Sequence, residues 1–79
     1  MIFTEERTVR VNSTLLATLA YDAAATTLQI EFRDGSIYRY FEVPEAVYHG
    51  LLTAGSLGSH FNRRIRTGFR YALLLRRRQ

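Results

Sequence analysis

Alternating apolar and polar residues in the first half of the chain predict antiparallel strands. From residue 15 to residue 21 every second position carries an apolar side chain, and the same period returns over residues 28–32. A two-residue period is typical of a strand with one buried face. The segment 22–26 is the predicted loop between these strands. Asp34-Gly35 then indicates a turn, after which residues 36–41 return as a third strand.

The register of the predicted hairpin decides where two tyrosines lie. A two-residue turn would bring Arg39 to the face of Phe32 and put a guanidinium group in the core. A three-residue loop with a left-handed Gly35 would bring Tyr38 and Tyr40 there instead. Burying an unpaired guanidinium costs several kcal/mol, whereas a tyrosine can bury its ring and keep its hydroxyl at the rim. We therefore predict the three-residue loop, since the other register would leave the tyrosines as an exposed platform.

The second half of the chain has a helical period. Pro44 is expected to open a helix over residues 44–54, because proline lacks the N–H group that the first turn leaves unbonded. Gly55 is expected to end that helix, and Ser56 to cap a second helix over residues 56–67. The predicted buried stripe of the second helix consists of Leu57, Phe61 and Ile65.

Together these elements predict a single α+β domain over residues 1–79. Its expected architecture is a three-stranded antiparallel β-meander with a two-helix hairpin packed on one face, in the order β-β-β-α-α. Residues 1–12 are expected to form an extended lead-in, and residues 72–79 a basic tail. The apolar run at residues 69–75 fits a strand, a helix or a docked coil, and the pattern does not choose among them.

Charge is distributed unevenly along the chain. All eleven basic residues are arginine. Residues 1–45 contain four arginines and all seven acidic residues, a net charge of −3, whereas residues 46–79 contain seven arginines and no acidic residue, a net charge of +7. This asymmetry indicates a polyanionic partner. The alternative interpretation is a solvated helix face followed by a basic tail.

Composition narrows the classes of function. The chain has no cysteine, which excludes thiol catalysis and thiolate metal sites and fits a reducing cytoplasm. No apolar run approaches the ~20 residues of a membrane span, and the charged residues near the N-terminus do not match a signal peptide. We therefore expect a cytoplasmic protein that does not interact with membranes.

Neither metal binding nor catalysis has a convincing set of residues. Glu45 and His49 share a helical face, but the sequence offers no third ligand beside them. Neither histidine has a nucleophile and a carboxylate at a recognisable spacing. We expect a non-enzymatic protein without a metal or cofactor.

An ordered set of residues resembles the KTSC domain family over about residues 13–71. The central mark of that family is a tyrosine-x-tyrosine motif, here Tyr38-Arg39-Tyr40. The family is named for the C-terminus of some lysyl-tRNA synthetases and includes stand-alone short bacterial proteins, and RNA binding has been suggested for it. The resemblance therefore implies a possible RNA-binding activity, and it supplies no catalytic residues. The other matching positions include Ser13, Leu19, Tyr21, Asp22, Gly35, Val43, Pro44, Val47, Tyr48, Ser56, Gly58, Phe61, Asn62, Ile65 and Arg66.

The second predicted helix offers contacts for single-stranded or tRNA-like RNA. Arginine suits phosphates and bases because its guanidinium group is planar and weakly hydrated. Single-stranded RNA also needs aromatic faces beside the positive charge. The candidate contacts are Asn62, Arg63, Arg64, Arg66 and Arg70, with Phe41, His60, Phe69 and Tyr71 as candidate stacking residues.

Two other partners are alternatives to RNA. The helix pair resembles a helix-turn-helix, but DNA is disfavoured because both helices should be occupied in covering the sheet. A protein-interaction or dimerisation adaptor is the main alternative. It would use the outer sheet face around Ile37 and Phe41, together with the apolar residues 73–75.

Overall fold

The computed structural model describes residues 8–76, so that parts of the predicted lead-in and basic tail lie outside the described residues. Five strands form one antiparallel sheet in the order β1-β2-β3-β4-β5. They are β1 (Thr8–Arg10), β2 (Leu16–Asp22), β3 (Thr27–Phe32), β4 (Ile37–Tyr40) and β5 (Tyr71–Leu75). The helices are α1 (Glu45–Leu52) and α2 (Leu57–His60), and α2 continues directly into a π-helical turn (Phe61–Ile65), here called the π turn.

The predicted three-stranded meander is wrong, although the chain is α+β as expected. Val9 of β1 pairs with Leu19 of β2, and Tyr71 of β5 pairs with Tyr40 of β4. A three-stranded meander would leave backbone N–H and C=O groups unpaired along both edges. The segments that flank the meander in sequence pair with those groups and extend the sheet on both sides.

The predicted register of the hairpin between β3 and β4 is confirmed. Ile30 pairs with Tyr38, and the Phe32 N–H donates to the Ser36 carbonyl oxygen at 2.9 Å. The three-residue loop closes through the Gly35 N–H, which donates to the Phe32 carbonyl oxygen at 2.9 Å. Gly35 has φ +93°, a conformation that glycine adopts without the steric cost of a side chain.

The core lies between the helices and one face of the sheet. Tyr40 is buried, and Tyr38 is half-buried and packs against the core. Phe61 and Ile65 are buried and Leu57 is half-buried, as the predicted stripe required. The buried cluster comprises Leu16, Leu19, Leu28, Ile30, Tyr40, Val43, Tyr48, Leu51, Phe61 and Ile65.

The helices begin near the predicted residues but are shorter than predicted. Pro44 is the N-cap of α1 rather than its first helical residue. Ser56 caps α2 as predicted, because its Oγ accepts a hydrogen bond from the Ser59 N–H at 3.3 Å. The Arg66 N–H then donates to the Phe61 carbonyl oxygen at 2.9 Å, which widens the helix into the π turn.

Candidate functional site

A groove of about 700 Å³ lies between the sheet and the π turn. Aromatic rings from β3, β4 and β5 form its sheet side, and polar side chains at and just after the π turn form the opposite side. The residues on which its chemistry depends are Phe32, Tyr38, Tyr40, Asn62, Arg66 and Tyr71.

Three tyrosines form a triangle in this groove. Tyr38 and Tyr40 share a face because they are two residues apart on β4, and Tyr71 lies opposite Tyr40 on β5. The ring centroids are 6.4 Å apart for Tyr38 and Tyr40, and Tyr71 is 5.6 Å from each of them. Tyr40 is 4% exposed whereas Tyr71 is 55% exposed. The triangle therefore runs from the floor of the groove to its rim.

Phe61 fixes the π turn over these rings. Its ring packs edge-to-face on Phe32 at 5.3 Å and on Tyr40 at 5.8 Å between centroids. Such contacts stabilise beyond the burial of apolar area. The next residue, Asn62, is thereby held at the groove.

The π-turn side of the groove is rich in hydrogen-bond donors. Arg66 Nη1 donates to Asn62 Oδ1 at 3.4 Å, so the amide nitrogen of Asn62 can serve as a donor in the groove. Burial, and then Tyr38 and Tyr71, raise the pKa of the Tyr40 hydroxyl to about 12, and Arg66 partly opposes this rise. The phenol of Tyr40 is neutral at physiological pH, as a tyrosine with an unshifted pKa would also be, so its O–H is an available donor on the sheet side of the groove.

Arg63, Arg64 and Arg66 are all exposed on or directly after the π turn, and these three residues are here called the arginine surface. Arg66 lines the groove, whereas Arg63 and Arg64 do not. Burial lowers the pKa of His60, and the nearby guanidinium groups of Arg63 and Arg64 lower it further. Arg63 and Arg64 therefore both lie close enough to His60 to disfavour a further positive charge on its ring. No acidic residue occurs after Glu45 in the sequence.

Arg70 is not brought together with the arginine surface. Its guanidinium group lies 5.4 Å from the centroid of the Phe41 ring. The adjacent residue Tyr71 faces the groove, so alternation along the chain puts Arg70 on the other face of the sheet. Arg39 of the tyrosine-x-tyrosine motif is on that face too, where its Nη2 donates to Gln29 Oε1 at 3.0 Å. The predicted site residues therefore divide between two faces.

The candidate stacking residues are also found in different places, and only some of them lie in the groove. Phe69 and Tyr71 line the groove. Phe41 is on the opposite face beneath Arg70, and the His60 ring lies against Gly50 of α1. Sequence reasoning treated the core and a stacking platform as alternatives for Tyr38, but this ring both packs on the core and lines the groove.

Sequence reasoning missed the groove itself, because one of its walls is built by β5. The only local signal for that strand was the alternation of Tyr71 with Leu73, within a run whose other residues are also apolar. Nothing in this pattern indicates that Tyr71 lies beside Tyr40, which is 31 positions earlier in the chain.

Glu45 and His49, the pair considered as metal ligands, both lie on α1. His49 Nε2 lies 3.3 Å from Glu45 Oε2 on the exposed face of α1, and no group of three or more potential metal ligands occurs among residues 8–76. Within that range no helix has the length and apolar character needed to cross a membrane.

Comparisons with known proteins agree on one family. The sequence model of the KTSC domain matches residues 12–69. An uncharacterised protein of Stutzerimonas stutzeri is 46% identical over 54 residues, which are 68% of this chain and 76% of that protein. A lysine–tRNA ligase of Nostoc punctiforme is 36% identical over 66 residues, which are 84% of this chain but only 12% of the ligase.

The fold agrees with the sequence comparison. The crystal structure of a KTSC domain protein from Yersinia pestis superposes with a TM-score of 0.83 at 28% identity. The match covers 85% of this chain and 94% of the Yersinia pestis chain. The resemblance predicted from the tyrosine-x-tyrosine motif and its neighbours is thus confirmed, and the chain belongs to the KTSC domain family.

Proposed function

We propose that this domain is a non-enzymatic RNA-binding module that contacts unpaired RNA through Asn62 and the arginine surface. The observation that carries the proposal is that three exposed arginines lie on or directly after the π turn, and that one of them, Arg66, lines an aromatic groove. Positive charge beside aromatic faces is the combination that single-stranded nucleic acid requires.

The positive charge of the chain favours RNA over an uncharged molecule as its partner. The chain has a net charge of +4, and its C-terminal part from residue 46 has no acidic residue. Arginine is suited to phosphate because its guanidinium group donates in a planar fork. A polyanion would therefore be attracted to the arginine surface at long range, and it would also form direct contacts there.

The relatives give the proposal a biological setting. The region similar to this chain in Nostoc punctiforme forms part of a lysine–tRNA ligase, so tRNA is a natural candidate among RNAs. The proposal places the domain in the cytoplasm, in keeping with a sequence that contains no cysteine.

The test compares an arginine-surface variant with a single-charge control variant elsewhere on the domain. The full chain with Arg63→Ala, Arg64→Ala and Arg66→Ala should bind labelled single-stranded RNA more weakly in fluorescence anisotropy. Its log–log salt slope should be shallower by about 0.7 for each phosphate contact removed. Arg10→Ala, which removes one exposed charge from β1, should leave both quantities nearly unchanged. Equal RNA affinity for the triple variant and the wild type would contradict the proposal.

A protein-interaction role is a second candidate, supported by one observation. The edge strand β5 exposes 55% of Tyr71, 38% of Leu73 and 51% of Leu75. Exposed apolar edges commonly pair with another chain. Leu75→Glu should then convert an assembled species to monomer in light scattering without lowering the melting temperature. A wild-type chain that is monomeric at every concentration and captures no partner would remove this candidate.

A further inference from the structure

The groove combines a flat apolar surface with a donor-rich end, and this combination restricts what can occupy it. The exposed ring of Tyr71 presents the surface, and the Tyr38 ring lies beside it at 5.6 Å between centroids, tilted by 54°. Arg66 and Asn62 present donors on the opposite side. An apolar peptide would leave these donors desolvated and unpaired, which costs free energy. A ligand with a planar ring joined to an anionic group satisfies both surfaces.

The anionic group of such a ligand would bind at one particular end of the groove. Arg66 and Tyr40 both line the groove, and the Arg66 guanidinium group partly opposes the rise in the pKa of the Tyr40 hydroxyl. The carboxylate of Asp34 also lines the groove, but it belongs to the loop before β4, where its Oδ1 accepts from the Ser36 N–H at 2.9 Å and the Ser36 hydroxyl at 2.7 Å. Tyr40 is the last residue of β4, so the carboxylate lies toward the other end of that strand from Tyr40. The neighbouring Arg33 also lines the groove, but its Nε donates to the Ser13 carbonyl oxygen and its Nη2 to the Val11 carbonyl oxygen, both at 2.8 Å.

We propose that the groove holds one unpaired nucleotide of a bound RNA strand, with its base on Tyr71 and its phosphate between Arg66 and the Tyr40 hydroxyl. This inference rests on the proposed function and assigns it a specific pocket. Arg63 and Arg64 lie outside the groove and contact neighbouring phosphates. The Asn62 amide donates to the same nucleotide as Arg66.

The size of the groove agrees with this occupant. Its volume of about 700 Å³ lies within the ~300–1,000 Å³ range of small-molecule pockets. Base stacking on an aromatic side chain is sequence-tolerant, because every base has a π face. The pocket is therefore expected to accept any base, and to prefer unpaired strands to duplexes whose bases are already stacked.

The experiment uses the full chain, fluorescein-labelled U8 RNA and a fully paired RNA duplex of the same length. Loss of the stacked base in Tyr71→Ala should weaken U8 binding about 5- to 150-fold, from the ~1–3 kcal/mol that one stacked base contributes. Binding of the duplex should be unchanged. Tyr71→Phe keeps the ring and should restore U8 affinity to within about twofold of the wild type. Because Tyr71 is more than half exposed, these variants are expected to stay folded, and circular dichroism checks this.

A cross-linking experiment locates the strand directly. U8 substituted with 4-thiouridine should cross-link on irradiation to a peptide that contains Tyr71 or Tyr38. Cross-links confined to the peptide around Arg63 and Arg64, together with unchanged affinity in Tyr71→Ala, would overturn the pocket while RNA binding stands. Displacement of U8 by uridine monophosphate at an equal nucleotide concentration would also overturn it, because the occupant would then be a free nucleotide. No binding of U8 or duplex by the wild type at low salt would overturn both proposals.

Discussion

The packing of Phe61 on the sheet yields a stability prediction that the structure makes quantitative. Replacing Phe61 with leucine keeps an apolar side chain but removes the edge-to-face contacts with Phe32 and Tyr40. Each contact of this kind contributes ~0.5–1.5 kcal/mol beyond area burial, so the two together give a loss of about 1–3 kcal/mol. Phe61→Ala, which also leaves a cavity, should lose about 3–5 kcal/mol.

The assay is urea unfolding followed by circular dichroism, with thermal melting in parallel. A chain of this size has roughly 4–12 kcal/mol of stability, so the leucine variant should stay folded. Its melting temperature should fall by about 5–20 °C, since 1 kcal/mol corresponds to ~4–8 °C in small domains. The control is Tyr71→Leu, which loses two ring contacts of similar distance at a site 55% exposed, and should cost less than about 1 kcal/mol.

Comparing the two leucine variants shows whether burial or ring contact causes the loss of stability. If Phe61→Leu has the same unfolding free energy as the wild type, the aromatic contacts do not hold the π turn on the sheet. If Tyr71→Leu is as destabilised as Phe61→Leu, Tyr71 is a structural residue, and its loss of RNA affinity could not be assigned to stacking.

Three further perturbations follow from particular residues. Gly35→Ala should lower stability by about 1–2 kcal/mol in urea unfolding, because φ +93° is unfavourable for a residue with a side chain, and an unchanged midpoint would contradict the three-residue loop. Gly68→Ala should lower the melting temperature, because the new Cβ would lie 2.9 Å from the Arg64 carbonyl oxygen; a wild-type melting temperature would count against this close approach. Burial first of all raises the pKa of Tyr40 from 10.0 to about 12, so its stabilising effect is complete below pH 10 and is lost as the pH rises toward 12. The urea midpoint should fall across that window, and it should fall less in Tyr40→Phe; an equal fall in both proteins would refute the assignment.

The inner strands and the hairpin register were predictable because local chemistry determines them. Leu28 and Ile30 alternate with polar residues, and only one register keeps the Arg39 guanidinium out of the core. The N-terminal ends of α1 and α2 were similarly predictable from Pro44 and Ser56. The prediction for α1 was one residue early, because Pro44 is its N-cap and not its first helical residue. In each case the deciding interaction lies within a few residues in sequence.

The edge strands were not predictable from the alternation of apolar and polar residues alone. β1 has only three residues, and in β5 an apolar run hides the alternation that would have indicated a strand. What selects the strand state is the pairing of Tyr71 with Tyr40 across the sheet, a contact between distant parts of the chain. The candidate site shares this dependence. The exposed arginines could be identified from sequence, but the groove required β5 to be placed, and Arg70 was assigned to a surface from which β5 separates it.

The most direct test of the account is the affinity of the wild-type domain for single-stranded RNA across a series of salt concentrations. We expect clear binding at low salt and a linear fall of log affinity with log salt, with a slope of about −0.7 for each phosphate contacted. Absence of binding at the lowest salt, or an affinity that does not change with salt, would contradict a role for the arginine surface in holding RNA.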